Sequence, residues 1–179
     1  MEDMDKKDYI FDYYENIVKS TVQEFLENKH DIRKGRIAAI VLDHMRDYWA
    51  IYLDQHEKWF ITESILKDEI YELCPDAALI RDVCNATKHG LLRISTNDKI
   101  IPKSIRSTHQ IKSEQNEGLF VGGFGSMFGE SNYVCINFEY EKEVNDNSLK
   151  HRFLFEVVAV VRDYWEQKLD YEKSLTFQG

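Results

Sequence analysis

The stretch PDAALIRDVCNATKHG, Pro75 to Gly90, reads as one complete helix with its own start and stop. Proline suits a first helical turn and the Asp76 carboxylate suits its positive end. At the other end, Lys88 and His89 stand where unpaired carbonyls favour cations, and Gly90 can take the left-handed conformation that closes a helix. On a wheel of about 100° per residue, Ala77, Ile80, Val83, Cys84 and Thr87 fall on one side. Arg81, Asn85 and His89 follow one another at i, i+4 and i+8 on the opposite side, flanked by Asp82 and Lys88. The helix is therefore expected to turn a polar row away from the core. Arginine, asparagine and histidine in one row differ from the lysine and glutamate of a merely solvated face.

Upstream, the pattern is helical throughout. Residues 8–28 place Ile10, Tyr13, Tyr14, Ile17, Val18, Val22, Phe25 and Leu26 at helical spacing. A second helix is expected from about Asp31 to Leu53, and a third from Lys58 to Cys74. The Pro75–Gly90 helix is the fourth.

Downstream, the texture changes. The segments LLRISTN, SIRSTHQIKSE, GLFVGGFG and NYVCINFEYEKE carry β-branched and aromatic residues with turn signals between them, predicting three or four antiparallel strands between Leu91 and Glu143. Helical periodicity returns from Ser148, read as an N-cap, to about Lys173. The expected fold is mainly α: a bundle of about five helices with a small antiparallel β-sheet insertion before the C-terminal helix. It forms a single domain over residues 1–174 with the insertion at about 91–143. Residues 175–179 read as a tail left from an engineered protease site. RDYWAIYLD (Arg46 to Asp54) and RDYWEQKLD (Arg162 to Asp170) agree at six of nine positions, which suggests two helices with one common face packed antiparallel.

The chain has 179 residues, of which 43% are hydrophobic and 13% aromatic, enough for a substantial core. No apolar run approaches the roughly 20 residues that span a bilayer, so no membrane association is expected. The acidic opening MEDMDKKDY carries no secretory pattern, and three cysteines without a CxxC pair suit a reducing compartment. A cytoplasmic location is the expectation. The net charge of −9 argues against broad nucleic-acid binding while leaving room for a local basic cleft.

On its helix order, the Arg81–Asn85–His89 row near a helix end and the closing helix, the chain resembles the HEPN superfamily of helical-bundle proteins. The resemblance implies a homodimer with two such rows facing across a cleft, and a metal-independent endoribonuclease of a toxin–antitoxin or antiviral-defence type, without a cofactor. In that role Arg81 would hold the scissile phosphate and His89 would transfer the proton of the ribose 2′-hydroxyl or of the leaving oxygen. Asn85 and Asp82 would orient them, and the product would carry a 2′,3′-cyclic phosphate. The Arg…His spacing is wider than in the family's RNase signature. Both groups reach one phosphate only if Arg81 extends or a partner subunit supplies the other. The alternative is a non-catalytic module of the same family that binds or senses a nucleotide or the protein product of a neighbouring gene.

Two further stretches carry candidate groups. GLFVGGFGSMFGES lacks the GK[ST] of a phosphate loop and reads as a hairpin connection. Its Phe124, Met127 and Phe128 would be partner-binding anchors if exposed. Asp43, His44 and Asp47 fall at helical spacing, with His56 beyond. A single histidine on the apolar stripe reads as a core residue with a polar partner, and no metal site is expected.

Overall fold

The computed structural model describes residues 9–55, 63–92, 105–113, 133–144 and 147–176. Among these are five helices and a three-stranded sheet, the architecture that the sequence predicts. Helix α1 runs through Tyr9–Tyr13, a π-helical stretch Tyr14–Val18, and Lys19–Glu27. Helix α2 spans Ile32–Gln55, α3 Glu63–Leu73, and α4 Pro75–His89. Strands β1 (Ile111–Ser113), β2 (Val134–Val144) and β3 (Asn147–Phe153) come next, and α5 (Leu154–Thr176) closes the chain. The glycine-rich stretch with Phe124, Met127 and Phe128 lies outside the described residues, as does His56.

Local chemistry sets the helix ends. Asp31 Oδ1 accepts the backbone N–H groups of Arg33 (2.9 Å) and Lys34 (3.0 Å), capping α2. Gly90 closes α4 with φ +72°, a conformation that costs glycine little, and its N–H donates to Ala86 O at 2.8 Å.

The start of α5 departs from expectation. Ser148 is not its N-cap but a member of β3, paired with Glu143, and the helix begins six residues later at Leu154. Leu149 and Phe153 fit a helical period, yet their stretch pairs with β2 as a strand, so tertiary pairing overrides a short periodic signal. At its other end α5 extends to Thr176, into the stretch read as a tail. The sheet has order β1-β2-β3, all antiparallel, with Ile111 opposite Ile136 and Cys135 opposite Phe153. Four residues of β2 oppose one of β3 between Asn137 and Lys142, an irregularity that bends the ribbon.

The sheet is tied to the helices by polar contacts. Arg36 Nη2 donates to the carbonyls of Thr108 and Ile111, both at 3.1 Å. Arg152 forms a two-pronged pair with Asp76 at the start of α4, its Nη2 lying 2.9 Å from Oδ2.

The two RDYW helices do meet through their tryptophans, Trp49 and Trp165, with ring centroids 6.3 Å apart. They run in the same direction, however, and not antiparallel. Gly35 at the start of α2 lies against Leu154 at the start of α5. Further along, Lys168 sits 4.7 Å from the Trp49 ring, and Tyr52 Oη donates to Glu172 Oε2 at 3.1 Å near both C-terminal ends. An intervening sheet lets the chain return to the beginning of the bundle before α5 starts, which a short helix–helix loop would not.

At Gly35 the helices α1, α2 and α5 lie close together. A Cβ there would fall 2.9 Å from Leu154 Cδ2 and 2.9 Å from the Phe25 ring, and both neighbours are fully buried. Overpacking of this kind costs about 1–3 kcal/mol, against roughly half a kcal/mol gained from better helix propensity. Gly35→Val is expected to lower the unfolding free energy by about 2 kcal/mol in urea titrations; an unchanged midpoint would mean that this contact is not close-packed.

Candidate functional site

Helix α4 packs against α2, α3 and α5. That encirclement revises the expected polar face. Ala77, Ala78, Leu79, Ile80, Asp82, Val83, Cys84 and Ala86 are all buried, and the exposed positions are Pro75 at its start and Lys88 and His89 in the last turn. Asp82 has no exposed surface at all, and the Arg81 side chain retains 18%. The row therefore divides: Arg81 and Asn85 are half-buried, with Asp82 in the interior beside them, and His89 is exposed at the helix end.

Arg81 and Asp82 are joined directly. The guanidinium donates to Asp82 Oδ1 from both Nε (2.9 Å) and Nη2 (2.7 Å). Its carbon also lies 5.1 Å from the centre of the Tyr71 ring, a cation–π distance, and Tyr71 is a further hydrogen-bonding partner. Burial works against the charged guanidinium, but Asp82 and Tyr71 outweigh it and hold the Arg81 pKa above its ordinary value.

A second arginine reaches the same tyrosine. Arg46 Nη1 on α2 donates to Tyr71 Oη at 3.0 Å and lies 3.6 Å from Asp43 Oδ1, which is itself buried. Asp43 is in turn hydrogen-bonded to Cys84. Two arginines, two aspartates and one tyrosine thus link α2, α3 and α4 through ionic and hydrogen-bonded contacts. The sequence reading missed Tyr71 and Arg46. The Asp43–Arg46 spacing of i, i+3 is a visible helical ion-pair signal, whereas nothing local marks Tyr71. A small cavity beside Asp43, Arg46, Tyr71 and Trp165 holds about 10 Å³, room for at most one water, and so none for a nucleotide.

At the end of α4, Lys88 Nζ lies 3.2 Å from His44 Nε2. The half-buried His44 thus has a polar partner, as read from its place on the apolar stripe. Among the described residues no three His, Cys, Asp or Glu side chains come together as a metal site requires. Nor is any described helix long and apolar enough to cross a membrane. Since α4 is unbroken, Arg81 and His89 lie about 12 Å apart along its axis at ~1.5 Å per residue.

Comparison with protein-family models, curated proteins and solved structures returns no match for this chain.

Two outcomes follow from the polar cluster. Asp82→Ala leaves a largely buried guanidinium without its carboxylate and is expected to cost about 3–5 kcal/mol in denaturant unfolding; a loss below 1 kcal/mol, the level of an exposed pair, would contradict the buried-pair reading. Burial first, and then the Asp43 carboxylate, push the Cys84 thiol up to about 12. At pH 8 its thiolate fraction is on the order of 10⁻⁴. In the native protein Cys84 should resist a thiol reagent at pH 8 and react once the chain is denatured. Fast labelling of native Cys84, located by peptide mapping, would refute this.

Proposed function

We propose that this chain is a HEPN-like helical bundle acting as a metal-independent endoribonuclease, with Arg81 on the scissile phosphate and His89 in proton transfer. The observation that carries the reading is the Arg81–Asp82 pair. One oxygen of a buried carboxylate accepts two N–H bonds from a single edge of the guanidinium and a tyrosine ring flanks it, so its plane is set in advance. A phosphate-binding arginine benefits from such orientation, because stabilising the developing charge then needs no further ordering. Asp82 is a positioning residue in this scheme.

The reaction is attack of the ribose 2′-oxygen on phosphorus with departure of the 5′-oxygen. One proton leaves the 2′-hydroxyl and one joins the leaving oxygen, giving a 2′,3′-cyclic phosphate and a 5′-hydroxyl. The exposed imidazole of His89 can carry either proton. With about 12 Å of helix between Arg81 and His89, a homodimer solves the geometry: Arg81 of one copy and His89 of the other meet at one phosphate, and Asn85 between them orients the substrate.

A second reading is favoured by charge. Asp43, Asp47 and Asp82 carry as many negative charges as Arg46, Arg81 and Lys88 carry positive ones, which gives RNA little net attraction. On that reading the chain is a non-catalytic module of the same type whose ligand is a neighbouring-gene protein or a nucleotide. Incubation with RNA under chelator separates the two. The ribonuclease reading expects cyclic-phosphate ends from the wild type and a loss of about 100-fold or more in His89→Ala. Equal background cleavage by both would leave the binding module, whose partner complex should be indifferent to His89→Ala.

A further inference from the structure

The cationic residues of this acidic chain are not spread evenly. NKHDIRKGR, Asn28 to Arg36, holds Lys29, Arg33, Lys34 and Arg36 against one carboxylate, Asp31, a local charge of +3 in a chain of net −9. That carboxylate is engaged in capping α2, and its pKa is lowered chiefly by the Lys34 N–H.

The fold brings aromatic rings to the same turn. Val134 N–H donates to Lys29 O at 3.0 Å, and Ser113 Oγ lies 3.5 Å from His30 O, so the ends of β1 and β2 abut the α1–α2 connection. Tyr133, Phe153 and Phe155 are half-buried there and His151 is exposed. Phe153 and Phe155 stack at 5.6 Å, and Tyr133 meets both edge-on at 5.7 and 5.1 Å. The Lys29 ammonium lies 4.5 Å from the centre of Phe155 and 5.8 Å from that of Tyr133. Phe155 leans on the core, whereas Tyr133 and Phe153 are not members of it. The carboxylate nearest in sequence on the sheet side is Glu156, which is exposed.

Cations beside partly open aromatic faces are the two parts of a single-stranded nucleic-acid site: phosphates meet the charges and unpaired bases stack on the rings. We propose that the α1–α2 turn and the adjoining end of the sheet bind single-stranded nucleic acid. The surface uses elements other than the α4 row, so binding there can exist without cleavage. A duplex hides its base faces and should bind less well.

The test is fluorescence anisotropy with a labelled 2′-O-methyl oligouridylate, which lacks the attacking hydroxyl and so separates binding from cleavage. Wild type should bind it more tightly than a duplex of the same length, with log Kd linear in log salt. Removing three charges in Lys29→Ala/Arg33→Ala/Lys34→Ala should weaken binding about tenfold or more and reduce the salt slope by about 2. Tyr133→Leu should raise Kd severalfold with the slope unchanged. Circular dichroism checks folding; if the triple variant unfolds, Arg33→Ala/Lys34→Ala carries the charge test alone. No binding by wild type, variants that bind like wild type, preference for the duplex, or equal binding to polyglutamate would each overturn the proposal.

Discussion

A carboxylate without exposed surface has to be neutralised where it stands, and Asp82 imposes that requirement on the middle of the bundle. An isolated buried charge is too costly to keep. Arg81 supplies the countercharge from the neighbouring position, although a guanidinium cannot lie there without displacing apolar packing. Tyr71 on α3 gives it a ring to lie on, and Arg46 and Asp43 on α2 complete the polar contacts around the same hydroxyl. These contacts join α4 to α2 and α3 beside the buried apolar packing of Ile80, Val83 and Cys84.

Charge is thereby sorted by depth. Along α4 the acids and arginines are paired near or within the core, and the last turn leaves Lys88 and His89 at the surface. The α1–α2 turn gathers positive charge beside half-buried rings. A net charge of −9 describes neither region well. The overall balance bears on solubility and long-range attraction, while recognition of an anionic ligand depends on where cations cluster.

Most of the helical framework was legible in the sequence because its signals are long and local. Asp31 caps α2, Pro75 and Gly90 bound α4, and the apolar stripe of α1 is periodic throughout. The failures share one cause, information carried by distant residues. Ser148 looks like a cap until β2 claims it as a partner. The RDYW helices could pack in either sense, and only the sheet between them sets a parallel pair. Asp82 looks solvated on a helical wheel, since a wheel cannot reveal that a third and a fourth helix cover the far side. The row Arg81, Asn85 and His89 was legible as a set of residue types; the pairing of a half-buried Arg81 with a fully buried Asp82, apart from an exposed His89, was not.

Asp82 can hold Arg81 for stability alone or for a chemical task as well. Asp82→Asn separates these roles, because it keeps the shape and an acceptor but removes the charge that fixes the guanidinium. The measurement is the yield of 2′,3′-cyclic phosphate ends from RNA under chelator, at a temperature where circular dichroism shows wild type and variant equally folded. The account predicts clear cleavage by wild type and a drop of at least about tenfold in the folded variant, the loss expected when a charge-stabilising group is misplaced. Cleavage equal in the two proteins, or absent from wild type, would contradict it.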